Sequence, residues 1–553
     1  MVNTLDPAAR GETVAFHLLL EPPGGTVKEI KLNTSLTLAD GKPVAFEIFR
    51  DWYVKQGAWY PEACVPLKGS FDIPWEENRV IGQKNQSVLI ECYIPKTATS
   101  GKLTGYVHVT ANGIDRRIPL VVTILPITLP DKMGFEISLN GYGTVGTPFG
   151  IDDRTADYRS LEKAYHRMAH EHRSTLALLG YSHSGTVSTD YAPPLEGVGS
   201  SMRVVDWKSW DIHFGSYFDG STFKGLKRES TPISHFYLPF HEDWPSKMVD
   251  NYRYKAATTA FPEMIVEHAL RAAPITETFD PAGVVAFRRV AGEFLTHFAA
   301  MGWNQTSFQL YQNDKNYYKD PKTGGRGTSW WLLDEPNFRD DWLALAFFAK
   351  PFAEATANSS VKFIHREDIS RPQWQRDYLN GLVQLMVVSN ELYNKQPMLK
   401  ELQLRQNVIY WNYGSANDVN RSNMEAEAWA IRAWIAGADG IVPWNSIGED
   451  KNFEYPEATA LFLPGKRFGI NGPVASLRLK SLRRAQQDVE YVIAYSRAHH
   501  LDREQLAQLI SKIVPMTVEF RKQNDLDAGQ YHFGNLGPET FSNLRRALSG
   551  GPQ

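Results

Sequence analysis

The rhythm of apolar and polar positions changes once along the chain, near residue 130. From residue 12 to about 128 it has the two-residue period of half-buried strands. "VLIECYI" (88–94), "GYVHVTA" (105–111) and "RIPLVVTIL" (117–125) are short β-branched runs, and Asn112-Gly113 falls between the last two, where a tight hairpin turn belongs. In the third run Ile118, Leu120, Val122 and Ile124 share one face. The pattern predicts an N-terminal antiparallel β-sandwich over residues 1–128.

"LPITLPDK" (125–132) reads as a hinge, and beyond it strand-like runs alternate with helical ones. Candidate strands cover 135–140, 175–182, 235–240, 307–311, 330–334, 361–365, 382–389, 407–412 and 439–444. Between them lie helical stretches such as 158–172 and 424–437, the latter closed by Gly437. Repeated β–α units predict an α/β fold, a (β/α)8 TIM-like barrel over 129–497, with one candidate strand surplus. The stripe of Leu479, Leu482, Val489 and Val492 predicts a long helix over 474–498 that closes the barrel with its Arg and Lys outward. Residues 498–553 read as a C-terminal helical tail packed on the barrel, ending irregularly.

Composition narrows the function classes. The 553 residues carry a net charge of −3, with 12% aromatics and 15 Trp. That balance argues against nucleic acid, and no basic cluster addresses a membrane surface. No apolar run approaches the roughly 18 residues that span a bilayer, so membrane insertion is not expected. The aromatic content suits stacking on sugar rings. Cys64 and Cys92 are compatible with one disulfide or two buried thiols. A strand pattern starts almost at once, so an exported (periplasmic or secreted) protein without its signal peptide is expected, with the cytosol still open. The sequence does not address oligomeric state.

Three motifs look chemical but lack context. "GYGTVG" (141–146) matches G-x-G-x-x-G, yet "TPFGIDD" intervenes before any helix. His166, His170 and His172 lie close along one helix without a catalytic Glu or a completing ligand. Ser184-Gly185 is not a nucleophile elbow. No metal or organic cofactor is implied.

Asp334-Glu335 in "SWWLLDEPNF" (329–338) is different. A carboxyl pair after an apolar run is costly unless solvated, paired or used. On a regular strand the two side chains would face opposite sides, so both enter one site only where the strand unwinds, and Pro336 is placed to cause that. Adjacent carboxyls raise one another's pKa, which favours a protonated Glu335. Adjacency suits substrate-assisted glycoside hydrolysis, in which the sugar's acetamido oxygen attacks C1. A conventional carboxylate nucleophile, Asp368 or Glu391, is the alternative, and a non-catalytic carbohydrate-binding barrel is another.

The sandwich, "LDEP" (333–336), "WAIRAWIAGADGIVPWN" (429–445) and the stretch Gly472–Val492 together resemble glycoside hydrolase family 123 and its catalytic-domain-like relatives. The resemblance implies an exo-acting, retaining β-N-acetylgalactosaminidase. Asp334 would orient the acetamido group and Glu335 would be the general acid/base. Ala485-Gln486 and the Gly-rich insert before Trp330 depart from the family pattern. Tyr142, Tyr181, His183, His241, Asn313, His365, Trp411, Asn412, Trp444 and Asn445 fall at or just past strand ends and are the candidate substrate contacts. The expected partner is a glycan or glycoside.

Overall fold

The computed structural model describes residues 3–142, 144–181, 187, 191–252, 274–315, 327–414, 417–519 and 530–549. Strands Gly101–Ala111 and Ile114–Thr128 pair antiparallel with Ala111 opposite Ile114. Asn112-Gly113 is therefore the whole turn, and Gly113 supplies its φ of +72°. Leu120, Val122 and Ile124 are buried from the face they share. Two features depart from a plain antiparallel sandwich. The short strands Asn3–Thr4 and Ala8–Arg10 run parallel to Ile114–Thr128. The second sheet is completed from far along the chain, where Pro473–Ser476 pairs with Ala58–Pro66 through Ala475–Cys64 and Ser476–Ala63. Cys64 and Cys92 are buried free thiols.

Eight parallel strands build a near-closed barrel: β1 Glu136–Tyr142, β2 Thr175–Leu179, β3 His235–Tyr237, β4 Ser307–Leu310, β5 Lys362–Asp368, β6 Leu385–Val388, β7 Ile409–Gly414 and β8 Gly440–Pro443. Ladders join β3 to β8 in chain order, then β8 to β1 and β1 to β2. Between β2 and β3 the described residues form no ladder, but Thr175 Oγ1 meets Ser234 Oγ across the seam at 2.7 Å. Side chains alternate along each strand. Ile364, Leu385, Val387, Trp411 and Val442 fill the lumen, while Met386, Val388, Tyr410 and Ile441 face the helices.

The surplus strand is 330–334. Trp330–Asp334 is irregular chain between β4 and the helix Arg339–Thr356. β4 pairs directly with β5, so no strand lies between them. Trp331 and Leu333 are buried because this loop packs into the layer between barrel and helices.

The closing helix is Leu477–His499, capped by Ser476, whose hydroxyl accepts the Leu479 N–H at 3.0 Å. Its Leu479–Val492 stripe is buried as expected. The expectation that its Arg and Lys face solvent is wrong. The sandwich covers that side of the helix, so Arg478 pairs with Glu62 at 2.6 Å and Lys480 with Glu91 at 2.9 Å, all buried. Arg483 grips the other oxygen of Glu91. The tail is not all helical: Arg503–Ile513 and Thr540–Ser549 flank a hairpin of Met516–Glu519 and Gln530–Phe533. Among the described residues no helix is long and apolar enough to cross a membrane.

Candidate active site

The loop after β4 carries Asp334 and Glu335 to the C-terminal rim of the barrel, where strand ends of such folds present their side chains. Three backbone contacts and the Asp341 carboxylate fix its return. Leu333 and Asp334 N–H groups reach the Asp314 carbonyl at 3.3 and 3.4 Å, and the Glu335 N–H donates to the Asp368 carbonyl at 3.0 Å. Asp341, in the first turn of the following helix, accepts from the Leu332 N–H at 3.0 Å. It also takes the Asn337 and Phe338 N–H groups, at 3.1 and 2.8 Å.

Adjacent side chains share the site through one backbone torsion. Glu335 has φ +57°, the left-handed region that a residue with a Cβ enters at a cost of about 1–2 kcal/mol. Pro336 disfavours the right-handed helical alternative. Both carboxyls thereby meet one ammonium: Lys315 Nζ lies 3.5 Å from Asp334 Oδ1 and 3.3 Å from Glu335 Oε2. The strand does not unwind at Pro336, because there is no strand; the left-handed residue does that work.

Around the pair the environments differ. Glu335 Oε1 accepts from the Ser370 and Tyr413 hydroxyls, each at 2.8 Å. Asp334 is buried, and its Oδ2 lies 3.2 Å from the Tyr311 hydroxyl. That hydroxyl also lies 2.5 Å from Asp368 Oδ2 and 2.6 Å from Asn313 Oδ1. Arg366 pairs with Asp368 at 2.9 Å and lies over the Tyr311 ring at 3.7 Å. Among the described residues, Lys315 and Arg366 are thus the cations beside Asp334, Glu335 and Asp368.

The two carboxyls are pushed in opposite directions. Burial, with Asp368 and Glu335 nearby, outweighs Lys315 and pushes its carboxyl up to about 8. Burial also raises Glu335, but Lys315 and the hydrogen bonds from Ser370 and Tyr413 overcome it and hold that carboxyl below the usual glutamate value. This reverses the expectation of a protonated Glu335. Adjacency raises both groups alike; the difference comes from solvation and from the two hydroxyls that reach Glu335 alone.

The other expected residues divide. Tyr142 ends β1 in the mouth, its ring 6.4 Å from that of the half-exposed Trp444. Asn445, beside it, binds its own Ser446 N–H at 2.9 Å. Asn313 lies in the cluster through Tyr311, and its Nδ2 is buried without a partner. Tyr181 braces this loop, donating to the Tyr311 carbonyl and accepting the Asn313 N–H at 3.1 Å. His241 stacks on Tyr181 at 4.1 Å, one layer out.

Three expected contacts lie elsewhere. His365 has the parity of Glu367, which it binds, opposite to Ile364, Arg366 and Asp368, so it faces away from the lumen. Asn412 faces the helices and is consumed by the Val388 and Ser389 carbonyls and the Trp429 N–H. Trp411 packs inside the barrel against His235 and is buried. His183 and Ser184-Gly185 lie outside the described residues.

Sequence reasoning missed Lys315, Tyr311, Arg366, Ser370 and Tyr413. Tyr413 was readable, since it shares parity with Trp411. Of the two alternative nucleophiles, Asp368 joins the cluster. Glu391 instead binds Gln373, at 3.1 Å. The histidines of the helix Ala156–Glu171 and its end are buried separately: His166 against Tyr217, His170 on Phe223, His172 on the Met168 carbonyl. Among the described residues no group of three or more His, Cys, Asp or Glu could hold a metal ion.

Fold and site define a β-sandwich joined to a near-closed parallel barrel with an acidic, aromatic C-terminal rim. No family model and no curated protein matches the sequence. Among solved structures, the chain is similar in fold to a family 123 glycoside hydrolase from Clostridium perfringens. The TM-score is 0.59 at 12% identity, over 99% of this chain and 92% of that one. A GH10 xylanase with a bacterial Ig-like domain from termite gut aligns more loosely, with TM-score 0.30, 9% identity and 89% and 100% of the two chains. A Parabacteroides merdae β-glucuronidase gives 0.25, 8%, and 79% and 46%.

Proposed function

We propose that the protein is a retaining glycoside hydrolase that removes β-linked N-acetylhexosamine, GalNAc before GlcNAc, from non-reducing ends with help from the 2-acetamido group. The observation that carries this reading is the left-handed Glu335, which brings two adjacent carboxyls to one Lys315. The shared fold with a family 123 enzyme supports the hydrolase class.

The proton must move before chemistry. Hydrolysis of this type needs Glu335 protonated and Asp334 ionised, against the directions in which their surroundings push the two carboxyls. An acetamido N–H donated to Asp334 stabilises its anion, and the single proton then passes to Glu335. The acetamido oxygen attacks C1 as the glycosidic C–O bond breaks, and the leaving oxygen takes the Glu335 proton. Asp334 balances the cation on the oxazoline nitrogen. Water, deprotonated by Glu335, then opens the oxazoline at C1 and restores the β configuration. Lys315 keeps the pair at one proton, and Tyr142 with Trp444 offers ring faces to the sugar.

Release of 4-nitrophenol from its β-N-acetylgalactosaminide, inhibited by a thiazoline mimic of the oxazoline, is the expected result. No turnover of either β-GalNAc or β-GlcNAc aryl glycosides would count against the reading. A second reading is favoured by the Tyr311 hydroxyl, which touches both Asp334 and Asp368. There Asp368 is the nucleophile on a sugar without the acetamido group, and a 2-fluoro glycoside would label Asp368.

A further inference from the structure

Beside Glu335 the rim carries polar atoms that the reaction as derived leaves unused. The chain leaves β5 through Ser370, whose hydroxyl holds Glu335 Oε1, and turns at once into a short 3-10 helix, Pro372–Trp374. Arg371 is 8% exposed, yet its Nη2 has no hydrogen-bond partner and it forms no ion pair among the described residues. Its guanidinium sits 4.7 Å from the centre of the Trp374 ring. Trp374 itself is 40% exposed. Gln373 donates its amide to Glu391, while its Oε1 is buried with no donor among the described residues.

A buried donor and a buried acceptor without partners cost free energy unless something completes them. A sugar hydroxyl does both at once, because it donates and accepts through one oxygen. An exposed indole beside it supplies the flat apolar face that a pyranose covers. Location gives the sugar its place. In the proposed reaction Asp334 marks the acetamido side and Glu335 the side of the departing oxygen, and it is Glu335 that this loop touches.

We propose that Arg371, Gln373 and Trp374 form a leaving-group subsite for a neutral pyranose, stacked on Trp374 with a hydroxyl between Arg371 and Gln373. The inference rests on Glu335 as acid for its orientation, though not for its existence. The protein is then built for a glycan with a sugar on both sides of the scissile bond, and simple glycosides use half of it. Binding energy from the remote ring goes into the chemical step, so losing it lowers kcat as well as affinity.

The test compares two substrates, the methyl β-N-acetylhexosaminide and a disaccharide in which the same sugar is β-linked to a hexose. The readout is the ratio of their kcat/KM values, disaccharide over methyl glycoside. Trp374→Ala is expected to lower the ratio about tenfold, Arg371→Gln several-fold, and Trp374→Tyr is expected to restore most of it. A ratio unchanged in Trp374→Ala, with a normal thermal melt, overturns the subsite. Calorimetric binding of the disaccharide to Glu335→Gln, with and without Trp374→Ala, separates the two readings. If wild type hydrolyses neither substrate but binding depends on Trp374, the hydrolytic reading falls and the subsite stands. Binding indifferent to Trp374, or absent, sinks the subsite.

Discussion

Glu91 and Asp334 are equally buried carboxyl groups, each about 1% exposed, whose proton affinities are pushed in opposite directions. Glu91 lies in the seam between sandwich and closing helix. Burial raises its proton affinity, but Arg483 and Lys480 together drive it far below the glutamate norm. Among the described residues, Asp334 shares Lys315 with Glu335, feels Arg366 more weakly, and is repelled by Asp368 and Glu335. Burial wins there, and the carboxyl is pushed up to about 8. The number of cations per buried carboxyl, rather than depth, decides the outcome. At the seam Glu91 is paired with two cations, Lys480 and Arg483, so removing it would strand both. At the rim the described carboxyls outnumber the described cations, and burial raises the proton affinity of Asp334.

The comparison breaks most sharply at Glu335. Glu335→Gln is expected to lower kcat on aryl β-N-acetylgalactosaminide by about a thousandfold, with far-UV circular dichroism unchanged. Asp334→Asn is expected to cost about a hundredfold in kcat with a modest change in ground-state binding; equal, small losses in both would remove it from the acetamido role. The same variant sharpens the contrast in stability. A carboxyl with a raised folded pKa stabilises fully below its unfolded value, near 4, and loses that contribution as pH rises to about 8. Asp334→Asn should therefore melt above wild type at pH 9, by about 2–5 °C.

Glu91 carries the opposite sign. Its depressed pKa contributes stability above the unfolded value of about 4.3, and that contribution is lost as pH falls below it. Glu91→Ala strands Lys480 and Arg483 and is expected to cost about 3–5 kcal/mol in urea unfolding at pH 7. An unchanged midpoint would mean the seam is not paired as described. The smallest effect is at Lys315. Lys315→Met removes the cation that lowers both members of the pair, so both limbs of the kcat/KM profile should move to higher pH, and Lys315→Arg should hold them in place.

Much of the barrel is legible in the sequence because strand and helix periods differ. The exception is instructive. "WWLLD" has the composition of a buried strand, and composition cannot separate a strand from a loop packed on the core. The missing signal was the crossover, since "YQNDKNYYKDPKTGGRGTS" (311–329) shows no apolar stripe at helical spacing to return the chain beside β4. Parity explains the site errors. Choosing strand ends by chemistry picked His365 and Asn412, one residue out of phase with Asp368 and Tyr413. Ser370 and Lys315 sit on loops whose paths no periodicity encodes. The inverted proton was beyond sequence reach, because it depends on which hydroxyls reach which oxygen.

Substrate assistance is the central claim, and a series of aryl β-N-acetylgalactosaminides with zero to three fluorines on the acetamido methyl tests it. Fluorine weakens the acetamido oxygen as a nucleophile without removing it. If that oxygen attacks C1, log kcat/KM falls steeply and in step with fluorine count. A flat series would contradict the account and pass the nucleophile's role to Asp368.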